Sequence, residues 1–150
     1  MKKIVLIVML LVCAFAVNAC CAEVPREVTV IELKGDVQVK TAGQETWQPA
    51  TLATILHEKD TIKTAAGAEA VLNVGQAGQV SVRPESEMTF DTLVMNQDNQ
   101  AKQTMLDLAM GNILIKAQKL QAEEKFEVKT PTAIMGVRGT EFEVTVAAGE

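Results

Sequence analysis

Histidine, cysteine and paired carboxylates are the side chains that could give this chain a catalytic or metal centre, and their spacing argues against one. His57 is the only histidine, so neither a multi-histidine metal site nor an HExxH helix can be built. The three cysteines, Cys13, Cys20 and Cys21, all lie in or beside the apolar N-terminal run and leave no thiolate for a zinc site further on. His57-Glu58-Lys59-Asp60 reads as an exposed loop, and no Gly-x-Ser-x-Gly elbow supplies a nucleophile for it to activate. Glu123-Glu124 and the Glu141/Glu143 pair are candidates for acid and base. Yet Glu141 and Glu143 alternate with Phe142 and Val144, a strand spacing that turns them away from a core, and Glu123-Glu124 reads as solvated charge. The acidic loops lack the Asp-x-Asp-x-Asp-Gly spacing of a calcium hand, and Gly75 to Gly78 is not followed by a lysine and a helix that could cradle phosphate. The expectation is a chain with no catalytic residues, no metal and no cofactor.

The most distinctive stretch runs from Phe126 to Val144. Pro131 lacks a backbone donor and marks a break between two strands, while Gly136 and Gly139 permit a bend or a close backbone approach among β-branched residues. Arg138 lies between the two glycines. It reads as a hydrogen-bonded brace for neighbouring carbonyls at a corner, with a ligand-binding role as the alternative. Thr140 and Phe142 complete this motif, and its glycines suit a corner better than a pocket.

Strands must carry such a corner, and the apolar residues recur with period two. Val28 and Val30, Val37 and Val39, Ala70, Leu72 and Val74, Val80 and Val82, Leu106 and Leu108, Ile113 and Ile115, Phe126 and Val128, and Phe142, Val144 and Val146 all alternate in this way. Turn residues separate the runs at Gly35-Asp36, Gly43, Gly67, Gly75 to Gly78, Pro84, Asn96 to Asn99, Gly111-Asn112 and Pro131. An all-β domain of short twisted strands follows, stacked like a solenoid or a sandwich. A turn glycine followed by alternating β-branched residues recurs at Gly35, Gly78 and Gly111, but at unequal spacing, so a strict repeat array does not. Leu52 to Asp60 reads as a loop or single turn, and Ala117 to Lys125 as room for a short helix. Asn96 to Gln100 reads as a polar exposed tip.

The N-terminus supplies an address. Lys2 and Lys3 precede an uninterrupted apolar run from Ile4 to Val17, too short for a membrane span of ~18 residues but right for an export signal. Small residues at Val17-Asn18-Ala19 and at Cys20-Cys21-Ala22 offer two cleavage sites. The domains expected are therefore a signal at 1–22, a polar tether at 23–27 and a β domain at 28–150. The whole chain has 14 basic and 19 acidic residues, and loss of Lys2 and Lys3 makes the mature protein more acidic still. That balance opposes nucleic acid and anionic membrane surfaces, and an aromatic content of 3% leaves little for stacking bases or sugars.

Two resemblances follow from these residues. Val17-Asn18-Ala19-Cys20 resembles the lipobox of bacterial lipoproteins, although Asn18 departs from its usual apolar or small residue. Lipidation at Cys20 would be the protein's one link to a membrane. From about Asp60 to Val146 the chain resembles the FecR-like domain, an extracytoplasmic module of bacteria. The resemblance rests on Asp60-Thr61-Ile62-Lys63-Thr64, the turn and strand at Gly78 to Val82, and Leu106-x-Leu108 followed by Gly111. It rests above all on Thr130-Pro131-Thr132-Ala133 leading into Val137-Arg138-Gly139-Thr140-x-Phe142-x-Val144. Gly35 to Val39 and Trp47-Gln48-Pro49 are similar to the opening of some members. The resemblance implies a strand-stacked domain in the periplasm or at the cell surface, used for sensing, binding or scaffolding, with an envelope protein or glycan as partner. Only three residues precede the apolar run, so the cytoplasmic anti-sigma segment of membrane regulators is not expected. The chain stops soon after Val146, where relatives continue with another strand, so its last strand is expected to leave an open edge.

Overall fold

A computed structural model describes residues 24–95, 101–118, 124–137 and 141–147. The alternation of β-branched and polar residues produces thirteen strands among them: β1 (Val24–Pro25), β2 (Val28–Lys34), β3 (Val37–Lys40), β4 (Gln48–Pro49), β5 (Ile55–Leu56), β6 (Thr61–Thr64), β7 (Glu69–Asn73), β8 (Gly78–Val82), β9 (Glu87–Met95), β10 (Ala101–Ala117), β11 (Lys125–Lys129), β12 (Ile134–Val137) and β13 (Glu141–Val146). A 3-10 turn, Gly75–Ala77, precedes β8. The all-β expectation holds, and the architecture is one continuous sheet ordered β4-β3-β6-β9-β10-β8-β7-β2-β5, curled like half a barrel over a single core. Val28, Val30, Ile62, Leu72, Val80, Val82, Phe90, Leu106, Leu108, Ile113, Ile115, Phe126 and Val128 fill that core, all essentially without exposure. They are the inward members of each alternating run, and their burial is the main force that curls the sheet.

The curl is centred on β10. Its first part bonds β9 on one side, antiparallel, and β11 on the other, parallel. Its second part, from Gly111 on, bonds β8 and β13, both antiparallel. The sequence reading placed a break between strands at Gly111-Asn112; the chain instead turns a corner there without leaving the sheet. Gly111 has φ +96°, and Ser86 from the β8–β9 connection fills the space beside it. Ser86 Oγ accepts from the Asn112 N–H at 2.9 Å, and the Arg83 N–H donates to the Asn112 carbonyl at 2.9 Å. Backbone groups of the bent strand are thereby satisfied where the regular ladder lapses. Buried Thr64 fixes the connection from below: its hydroxyl donates to the Arg83 carbonyl at 2.6 Å and accepts from the Ser86 N–H at 3.0 Å.

Three segments differ from their sequence reading. Val24 and Pro25, within the expected tether, pair with Met95 and Val94 of β9, and Arg26 is buried, so regular pairing begins before Val28. Proline is tolerated because β1 is bonded on one side only among the described residues. Within Leu52 to Asp60, the turns at Leu52-Ala53 and Glu58-Lys59 are as expected, but Ile55–Leu56 pairs with Val28 and Thr29 and buries Leu56. Ala117 ends β10 and Lys125 begins β11. The middle of the helix expected between them lies outside the described residues, as does the whole polar tip at 96–100.

Candidate functional site

Asp60 opens the stretch that resembles the FecR-like domain, and the fold gives it a structural task. Its carboxylate is buried and accepts two backbone bonds at 2.8 Å, Oδ1 from the Ala42 N–H and Oδ2 from the His57 N–H. Its own backbone carbonyl accepts from Phe90 N–H at 3.0 Å. The Asp60 side chain thus ties the β3–β4 loop to the β5–β6 turn, and its backbone carbonyl joins them to β9. A carboxylate held this way is committed to backbone donors and is poorly placed to move a proton. The His57 ring stands 3.8 Å from Asp60 on one side and 3.8 Å from Glu27 on the other, with more than half its side chain exposed. No serine, threonine or cysteine side chain hydrogen-bonds to the ring among the described residues. Nor do any three His, Cys, Asp or Glu side chains there form a group that could hold a metal ion.

The Phe126 to Val144 stretch builds the other end of the sheet. β11 and β12 form a hairpin closed at Thr130, whose N–H donates to the Ala133 carbonyl at 2.8 Å and whose hydroxyl accepts from the Ala133 N–H at 3.0 Å. Pro131 sits at the exposed tip of that turn, where a missing donor costs nothing. Phe142 pairs with Ile115 across β10 and β13 and packs half-buried against the core. Glu141 and Glu143 face outward, the first 3.5 Å from Lys116 and the second accepting from Asn112 Nδ2 at 2.7 Å. Cys20, Arg138, Gly139 and Thr140 lie outside the described residues.

Gly136 corrects the sequence reading. Its φ is not in the left-handed region, and a Cβ built there meets nothing within 4 Å, so neither a bend nor a close approach requires glycine. It lies opposite Glu127 in β12, a strand bonded only to β11 among the described residues. Gly136→Ala should therefore leave the folded state intact, shifting stability by less than about 0.5 kcal/mol in urea denaturation; a loss of several times that would restore the close-approach reading.

Among the described residues two outer edges are unpaired in this region, those of β12 and β13. Ile134 on β12 is 65% exposed, the kind of apolar edge position that natural sheets usually blunt with charge. Periodicity marks β13 as a strand and an open edge was expected of it; that β12 forms a second edge depends on pairings far apart in sequence.

Arg26 is the functional-looking residue that the sequence did not single out. Its guanidinium is buried under the 3-10 turn, donating to Thr104 Oγ1 at 3.3 Å. Burial lowers its pKa from the ordinary arginine value and the Glu124 carboxylate opposes that shift, so Glu124 is half-buried beside a cation, where solvated charge was expected. An isolated arginine beside Pro25 carries no periodic signal that would reveal this.

Against known proteins, the sequence profile of the family described as FecR protein matches residues 60–150, more than half of the chain. No curated protein and no solved structure matches it. A FecR domain is consistent with an envelope-associated regulatory or sensing role, and members of the family are regulatory rather than known enzymes.

Proposed function

The chain belongs to the FecR family, and on that premise we propose that it is an exported, non-enzymatic binding or scaffold protein of the cell envelope that captures its partner by strand addition. The observation that carries this reading is the pair of unpaired edges on β12 and β13, one of them bearing exposed Ile134. An edge strand offers a row of backbone donors and acceptors to an incoming strand, while exposed side chains select which strand enters. The envelope address rests on the Lys2-Lys3 n-region and the Ile4 to Val17 run. Mass spectrometry of the mature N-terminus separates a lipid-anchored form, beginning at modified Cys20, from a soluble one cleaved after Ala22.

Affinity purification of the full chain from envelope fractions tests the binding role. A defined partner should co-purify and be lost with Ile134→Lys, which places a charge on the edge without touching the core. Retention of the same partner by the Ile134→Lys and Val146→Lys variants would reject strand addition. Turnover by the purified protein that vanished with a single carboxylate would reject the non-enzymatic role. The family's regulatory character favours a second reading, in which the domain senses a ligand and passes its state to a separate membrane protein. A specific membrane regulator would then be the protein recovered.

A further inference from the structure

The one tryptophan of the chain is not in the core. Antiparallel pairing of Val39 with Gln48 places Trp47 next to Lys40 on the outer face of the sheet, and pairing of Gln38 with Lys63 brings the β6 lysine alongside. The two ammonium groups stand 4.9 Å (Lys40) and 5.8 Å (Lys63) from the centre of the indole ring. Lys40 has no carboxylate partner among the described residues, and Lys63 reaches only Glu87, at 3.8 Å. The indole N–H donates no hydrogen bond there either. Two cations therefore lie beside one indole ring with a single carboxylate, 3.8 Å from Lys63, to balance them, in a chain whose net charge is −5.

Attraction to the ring face accounts for each lysine singly, but not for both at once, because like charges drawn to one ring repel each other. An oxyanion beside both ammonium groups removes that repulsion. Ammonium groups are point-charge donors suited to phosphate, and two of them match a dianion. The net negative charge of the chain repels extended polyanions and so favours a compact ligand.

We propose that Lys40, Trp47 and Lys63 form a binding site for the phosphate group of a compact phosphate monoester, such as a phosphorylated sugar. The site lies on β3, β6 and the end of the β3–β4 loop, and it shares no residue with the β12 and β13 edges, so it stands or falls independently of strand addition.

With one tryptophan and no tyrosine, the emission of Trp47 reports on this site alone. The exported protein is titrated with glucose 6-phosphate, with inorganic phosphate and with phosphatidylglycerol vesicles, and each titration is repeated by calorimetry. Saturable binding of glucose 6-phosphate is expected, weakened about three- to tenfold by Lys40→Gln or Lys63→Gln and unchanged by the surface control Lys34→Gln. Equal binding of inorganic phosphate would support the site and identify the bare oxyanion as sufficient. Absence of both heat and emission change would overturn the proposal. So would equal affinity in the Lys40→Gln and Lys63→Gln proteins, an equal loss in Lys34→Gln, or binding to vesicles without binding to glucose 6-phosphate.

Discussion

Gly111→Ala should lower the unfolding free energy by about 3 kcal/mol or more, a large share of the roughly 5–15 kcal/mol that holds a domain of this size. Two costs combine. Alanine must adopt φ +96°, a backbone region that L side chains rarely occupy. Its Cβ would also land on Ser86, against the Cα as well as the side chain, so the obstruction is partly backbone and cannot swing aside. Relief would require moving the β8–β9 connection, which Thr64 holds through the Arg83 carbonyl and the Ser86 N–H. Gly43→Ala separates the two costs. Its φ is +75° but a Cβ there meets nothing within 4 Å, so the conformational penalty stands alone at about 1 kcal/mol. Urea denaturation of both variants is the measurement, and equal losses would mean that the corner at β10 does not depend on close approach.

The same corner shows what could be read in the sequence and what could not. Alternating pairs such as Val37/Val39, Val80/Val82 and Ile113/Ile115 announce strands because the period of two belongs to the strand itself. The residues that face inward in the structure are those the alternation selects, and Thr130-Pro131-Thr132-Ala133 announces a turn for equally local reasons. Gly111-Asn112 is different. A glycine with positive φ ends one strand and starts another in most turns, and it becomes a corner only if a distant residue supplies the missing hydrogen bonds. Ser86 does so here from 26 positions away in the chain. Arg26 and Trp47 escape for a related reason. Each gains its meaning from residues brought beside it by pairing, Thr104 in one case and Lys40 with Lys63 in the other. Gly136 errs in the opposite direction, since a glycine in a distinctive motif looks structurally obligatory until its open surroundings are known.

Asp60→Ala should cost about 3 kcal/mol, because it strands two backbone donors, at Ala42 and His57, whose acceptor is a buried carboxylate. Both bonds are part-buried, and removing their shared acceptor leaves two donors short of a partner in a single truncation. Asp60→Asn distinguishes lost bonds from lost volume. An asparagine carbonyl can serve one donor, but its NH2 then faces the other backbone N–H, so this variant should lie closer to alanine than to the wild type. Stability equal to wild type in Asp60→Asn would show that the two bonds matter little. The damage should also have a direction. Ala42 belongs to the loop that leads to Trp47, so its amide should exchange with solvent faster in Asp60→Ala under native conditions, whereas amides in β10, remote from the carboxylate, should change only as far as global stability falls. A uniform rise in exchange across the sheet would instead assign Asp60 to the core as a whole, not to the anchoring of that loop.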